Sequence, residues 1–191
     1  SIQRGDVFVV ELSFLSATGN ELPIKIGNVS ATEVNASLHL VAPFHGKSTQ
    51  AATVVKREMG LDWPGVHELK RRGKSYVLWF DHSHIAVMGE APLAKLAQVA
   101  AVTDVSDGWC IIDVYGSDVR DVLARLTPLD IREQHFKAGM TQRSMIMHMQ
   151  ASISCLEKSQ FRLMVFRSMA RTLLHDLTTA MESVAARAQK F

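Results

Sequence analysis

The sequence predicts an α+β fold of two βαβ-type lobes with mainly antiparallel sheet. Three observations predict it. Between residues 38 and 103, β-branched runs alternate with helical runs in the order β-α-β-β-α-β, the split βαβ plan. A second round opens at Trp109 with an apolar strand, Gly116, and a helix whose Val119, Val122, Leu123 and Leu126 recur at i, i+3, i+4, i+7. The chain then closes with an apolar stripe of Met169, Leu173, Leu177, Ala180, Met181 and Val184, a final helix from Ser168 to about residue 186. The organisation is an N-terminal arm with one strand (1–36), a first βαββαβ lobe (37–108) and a second lobe ending in a long helix (109–191). Each lobe is expected to be ferredoxin-like.

Taken in order, residues 7–15 (Val-Phe-Val-Val-Glu-Leu-Ser-Phe-Leu) read as a strand. Thr18-Gly19-Asn20 is turn chemistry, and the pattern is weak from there to Asn35. Residues 38–41 form a short strand. Ser48 caps a helix over 49–59, with Ala52, Val55 and Met59 on one face and Gly60 as its stop. Residues 61–72 read as a loop around Trp63-Pro64-Gly65. Residues 75–80 and 85–88 are strands joined in a hairpin by Asp81-His82-Ser83-His84. A short helix (91–99) and a return strand (100–103) complete the first round. In the second, Ser117 caps the helix, Asp118 and Asp121 complement its dipole, and Thr127-Pro128 stops it. After a long connection, residues 142–149 alternate with Met145, Met147 and Met149 on one side. Strands at 153–156 and 161–166 meet across Glu157-Lys158-Ser159. A faint internal echo aligns Asp81-x-Ser83, strand, Gly89, helix with Asp104-x-Ser106, strand, Gly116, helix.

The totals limit the function classes. A net charge of +2 over 191 residues is far too small for a chain whose main partner is a phosphate backbone. No run approaches the ~20 apolar residues of a membrane span. Residues 1–5 lack the basic-then-apolar build of a signal peptide, and the expected compartment is the cytoplasm. Cys110 and Cys155 sit in apolar runs, where a thiol is buried and unreactive. His82-Ser83-His84 would need distant ligands such as His148 or His175 to hold a metal, and a polar turn explains it better. Asp104 and Asp107 are better turn caps at Gly108 than an acid–base pair. The glycines build no dinucleotide or phosphate loop. Residues 72–79 (Arg-Gly-Lys-Ser-Tyr-Val-Leu-Trp) approximate the RNP1 pattern of RNA-binding modules. Lys74 replaces a stacking aromatic, and the strand is second rather than third in its lobe.

A family resemblance rests on the stretch from 102 to 139. Asp104, Ser106, Asp107 and Gly108, the apolar strand, Gly116, Val122-Leu123-Ala124, Pro128-Leu129-Asp130, Phe136 and Gly139 follow an order that resembles the gamma subunit of heterotetrameric sarcosine oxidase. The resemblance covers roughly 38–185, with Arg167-Ser168 and Ala170 as a further anchor. The turn at 81–84 departs from the Gly-Pro-Asp-Glu-Trp-like turn of that family. The resemblance implies a fold related to the folate-binding domain of the aminomethyltransferase (glycine-cleavage T protein). It also implies a non-catalytic, structural role in a complex that oxidatively demethylates sarcosine to glycine and passes the one-carbon unit to tetrahydrofolate. In such complexes FAD, covalent FMN, NAD and the folate site belong to the alpha and beta subunits and zinc to delta; the gamma chain holds none.

Two alternatives remain beside it. One is a free-standing folate-binding or one-carbon-handling module, which needs a buried carboxylate facing the pterin; Asp130 is the nearest candidate. The other is an RNA-binding ferredoxin-like module. For the subunit, the expected partner surface is the connection from Pro128 to Gly139 and the strand starting at Gln142. Phe136 is either its apolar centre, ringed by Arg132, Gln142 and Arg167, or a plug in the core beneath its own loop.

Overall fold

The protein, seen in a computed structural model, is described over residues 16–188; the strand expected at 7–15 lies outside the described residues. The strands are β1 (Ile24–Ile26), β2 (Val29–Glu33), β3 (Leu38–Pro43), β4 (Leu69–Arg72), β5 (Ser75–Trp79), β6 (Ile85–Met88), β7 (Ala100–Asp104), β8 (Trp109–Gly116), β9 (Thr141–Ile146), β10 (Met149–Glu157) and β11 (Gln160–Phe166). The helices are α1 (Ser48–Met59), α2 (Leu93–Leu96), α3 (Val119–Leu123) and α4 (Ala170–Ala188).

Two antiparallel sheets form, one in the order β4-β5-β6-β3-β7 and the other β1-β2-β8-β11-β10-β9. Strand alternation sends side chains to both faces of each. Val41, Val55, Met59, Val77, Ile85, Val87 and Leu96 form a core between the first sheet and α1 and α2. Cys110, Ile112, Val114, Phe161, Leu163 and Val165 meet Val119, Leu123, Leu173 and Leu177 of α3 and α4 on the second. The remaining faces pack against each other: Leu38, Leu78, Phe80 and Met88 of the first sheet lie against Trp109, Ile111, Leu156 and Met164 of the second. The layers therefore run helix, sheet, sheet, helix.

The two sheets repeat one plan. In the first, β3, β5, β6 and β7 take the four ferredoxin-like positions, and β4 adds an outer strand beside β5. In the second, β8, β10 and β11 take the matching positions and β9 adds the outer strand. The fourth position is filled by β2, which comes from the other end of the chain. The entries to the two outer strands pair with each other: Leu69 N–H donates to Gly139 O at 2.7 Å and Thr141 N–H to His67 O at 2.9 Å.

Several elements differ from their sequence-based expectation. Residues 24–33, where the pattern is weak, supply two strands that pair with each other, and β2 joins the sheet through β8, a partner far along the chain. The loop expected at 61–72 contains β4, an edge strand whose Lys70, Arg71 and Arg72 hide its strand character and suit an open edge. The strand expected at 142–149 is broken by a two-residue turn at Met147-His148, with Met147 at φ 49°. The β9–β10 pairing and a bond from the Met147 amide to Leu126 O at 2.7 Å fix that turn; no glycine or asparagine marks it. The expected helix at 91–99 shortens to α2. Ser117 bonds Asp118 instead of capping α3, and Lys47 rather than Ser48 precedes α1. The internal echo joined β6 to β8, whereas the topological counterpart of β8 is β3.

Gly116 closes β8 at φ 141°, and a Cβ there would stand 1.9 Å from the Asn28 carbonyl oxygen of β2's entry. Gly116→Ala is expected to cost about 3 kcal/mol or more, from strain plus the lost β2–β8 pairing; a urea midpoint within error of the parent would refute this. Ahead of β1, Glu33 holds the turn at residues 16–18. Its carboxylate accepts from Ser16 Oγ, from Thr18 Oγ1 at 2.5 Å and from the Ala17 amide at 2.8 Å. Burial works to raise the Glu33 pKa, but these bonds outweigh it and hold it below the ordinary value. A depressed folded pKa contributes stability above the unfolded glutamate pKa of about 4.3 and loses it as pH falls through the folded value. Glu33→Gln should therefore be less stable at neutral pH, with a shallower loss of stability on acidification. Equal acid limbs in pH-dependent melting would reject the assignment.

Candidate functional site

The inter-sheet layer carries charge. Asp113 of β8 and Arg162 of β11 are register partners, and both side chains point between the sheets. Arg162 Nε donates to Oδ1 at 2.7 Å and Nη2 to Oδ2 at 2.8 Å, a bidentate pair at 4% and 8% exposure. Arg162 reaches the first sheet as well, with Nη1 3.0 Å from Met88 Sδ and its guanidinium carbon 4.3 Å from the Tyr76 ring centroid. Burial opposes the charge on Arg162, but Asp113 outweighs it and raises its pKa above the ordinary arginine value. Tyr76 is thereby covered. The aromatic that the RNP1-like stretch would offer to a base is packed under a guanidinium, and the sheet face carrying it lies against the second sheet.

A second arginine enters the same layer without an acid. Arg143 of β9 sits opposite Ser152 of β10. Its guanidinium carbon lies 4.3 Å from the Phe80 ring centroid and 5.4 Å from that of Trp109. Phe80 meets Trp109 edge-on at 5.6 Å, and Trp109 tilts against Phe166 at 4.8 Å. The Arg143 Nε and the Ser152 Oγ are both buried without a hydrogen-bond partner. Burial lowers the Arg143 pKa, with Asp81 working weakly the other way. The cluster reaches the surface at Phe166, which is 48% exposed.

Of the four residues expected at a partner surface, Arg132 and Phe136 are joined by a backbone bond of 2.9 Å, and Arg167 lies past the far end of β11. Phe136 is not an exposed apolar centre: it is 2% exposed and stacks over Phe161 at 6.3 Å, plugging the core beneath its own connection. The cause is Arg120 of α3, which lies 4.8 Å over the Phe161 ring and donates to the carbonyls of Ile131 and Phe136, drawing the connection inward. What remains outward is polar: Arg132, Glu133, Gln134, His135 and Lys137 are exposed. With Arg120 and Lys158, three of these border a shallow groove of about 560 Å³, and Lys158 pairs with Glu133 at 2.9 Å. Arg132 is engaged by Asp130 through bonds of 2.8 and 2.5 Å. Gln142 is half-buried on β9, and Arg167 follows the far end of β11 from Phe161.

Other candidates resolve into local structure. Asp130 lies exposed on the connection, held well below the usual carboxylate range by Arg132, and does not fit the requirement of a buried acid facing a pterin. Asp81 accepts from the Ser83 and His84 amides at 2.8 Å each and binds the His84 ring at 2.9 Å, which organises the His82–His84 turn. Asp104 binds the Ser106 amide and hydroxyl. Among the described residues, no group of three His, Cys, Asp or Glu side chains converges on a metal position. Burial pushes the Cys110 thiol up to about 12 and also raises that of Cys155, the opposite of nucleophile activation. No described helix is long and apolar enough to cross a membrane. Asp113, Arg162 and Arg143 are absent from the sequence-based candidates. A lone acid inside 109–115 and a lone arginine inside 161–166 are the signal that pairs the first two.

With this geometry in place, the comparisons assign the chain. A model of the sarcosine oxidase, gamma subunit family matches residues 46–182. The chain belongs to that family. No curated protein gives a significant match. A chain of heterotetrameric sarcosine oxidase from Corynebacterium sp. U-96, solved in complex with pyrrole 2-carboxylate, superposes with a TM-score of 0.73 at 19% identity, over 82% of this chain and 85% of that one. Glycine cleavage system aminomethyltransferase T from Bartonella henselae gives a TM-score of 0.56 at 10% identity, over 80% of this chain and 46% of that one. At these identities the likeness is one of fold. This gamma-family chain therefore has the mixed α+β, mainly antiparallel architecture of those subunits, and spans less than half of the aminomethyltransferase chain.

The buried pair gives a test of the inter-sheet layer. Asp113→Asn strands a guanidinium between the sheets and should cost about 3–5 kcal/mol. Asp113→Leu with Arg162→Met removes both charges and should cost far less than that, because neither is left unpaired. Denaturant titration of the two variants checks this. A double variant as unstable as Asp113→Asn would mean that packing, not charge, holds the layer.

Proposed function

We propose that this chain is a non-catalytic, structural subunit of a heterotetrameric sarcosine oxidase, with alpha, beta and delta subunits as its partners. The complex oxidatively demethylates sarcosine to glycine and passes the one-carbon unit to tetrahydrofolate in the cytoplasm. FAD, covalent FMN, NAD and the folate site reside in alpha and beta, and zinc in delta. The observation that carries this reading is the gamma-subunit family match over residues 46–182.

The chemistry of the described residues is consistent with a role in assembly. The buried carboxylate is consumed by Arg162, and the thiols are shifted away from the thiolate. Both sheets are covered on both faces, so the surface left to act is made of the outer helix faces, strand ends, edges and loops. Asp130 does not supply what a folate pocket in this chain requires, and Tyr76 is not free to stack on a base.

Purified alone, the chain is expected to be colourless and without sarcosine turnover. Co-expressed with the cognate flavoprotein subunits, it should co-purify at fixed stoichiometry. Turnover by the isolated chain, or failure to co-purify, would reject the subunit reading.

A further inference from the structure

Among the described residues, Arg143 is the half-buried charge of the inter-sheet layer whose Nε is left without a partner. Its neighbour in kind, Arg162, has a bidentate acid, a sulfur and a ring. Arg143 has two rings and, among the described residues, no hydrogen bond from its guanidinium. The acid whose field reaches it, Asp81, is already engaged with two amides and the His84 imidazole. A half-buried guanidinium without an anion is costly, and a core that only needed to fill this space would be served better by methionine. The same cluster opens outward through Trp109 onto Phe166, one of the large apolar side chains exposed among the described residues. An apolar rim beside an arginine held rigid by aromatic packing is how an interface anchor is built. The fork geometry of arginine selects a carboxylate.

We infer that Arg143, packed into the corner formed by the Phe80 and Trp109 rings, is the anchor for an aspartate or glutamate side chain of another subunit of the complex, whose neighbouring apolar residues cover Phe166. This inference rests on the subunit reading above. Charge complementarity fixes the occupant as acidic. Packing against the two rings orients the guanidinium before the partner arrives, which lowers the ordering cost of binding.

The test uses the full chain and the co-expressed flavoprotein subunits, with Arg143→Met and, as a control for lost surface charge, Arg132→Met. Methionine keeps contact with both rings and removes the orphaned donor. Arg143→Met should therefore melt at the same temperature as the parent or higher, yet bind the partner subunits at least tenfold more weakly. Arg132→Met should bind as the parent does. A melting temperature that falls by several degrees would make Arg143 a structural residue of the core and overturn the inference. So would unchanged binding by Arg143→Met, or equal weakening by Arg132→Met. A dimer of the isolated chain that Arg143→Met abolishes would place a second copy on this face and likewise overturn it. If the parent chain does not assemble with the flavoprotein subunits at all, the subunit reading falls and the anchor falls with it. If the parent assembles and Arg143→Met assembles equally, only the anchor is lost.

Discussion

A guanidinium sealed between two sheets cannot be left without its acid, and much of this architecture follows from that constraint. Arg162 is paired only while β8 and β11 hold the register that sets it opposite Asp113. A slip of β11 by one residue would turn Arg162 toward α3 and α4, leave Asp113 between the sheets without it, and bring Phe161 and Leu163 there instead. The pair therefore selects one register out of the apolar alternatives that flank it. Through Met88 and Tyr76 it also selects how the first sheet sits on the second. Leucine and methionine would fill the same space with less desolvation, but they would not discriminate between alignments.

The repeated plan of the two sheets has a functional side. A lone ferredoxin-like sheet leaves one face open, and that face is where many such modules bind their ligands. Here each sheet is the lid of the other. Recognition is displaced to the rim, where the layer's aromatic residues reach solvent and where the outer strands end. The edges themselves are protected. β4 carries Lys70, Arg71 and Arg72, and Arg71 ties that edge to Glu157 at the end of β10 at 2.6 Å. The family signature residues serve the same framework: Phe136 plugs the second core, and Ser106 binds the β3 amide of Leu38.

How much of this could be read from residues alone varied with the kind of interaction. Helical stripes were legible because their period is local: Val119, Val122 and Leu123 are buried as the spacing required, as are Leu173 and Leu177. Strands β1 and β2 were not, because their pattern makes sense only beside β8, a partner far along the chain. The turn at Met147-His148 was hidden because tertiary pairing, not glycine, imposes a positive φ on a methionine. Among the residues expected at a partner surface, Phe136 stayed open between surface and core for a related reason. An aromatic in a polar connection has no period to place it, and Arg120, which pulls it inward, lies on a helix read only for its apolar stripe. Arg143 gave no sign of itself, since its character comes from rings on two other strands.

The origin of β2 has a consequence for how the chain is made. The first lobe draws all its strands from one continuous stretch, so it can close as soon as β7 has left the ribosome. The second lobe has its fourth strand synthesised long before the strand that joins it to the sheet, with only the three-residue β1 to pair with meanwhile. For the whole time that the first lobe is being built, β1 and β2 form at most a short two-stranded ribbon, which is marginal in water. β8 is the first strand able to capture them, and it emerges directly behind β7. A nascent chain stalled just before Trp109 would thus carry a finished lobe and an unpaired β2 edge. During translation, the segment a protease or a chaperone should find first is the one nearest the N-terminus, although it is the oldest part of the described structure.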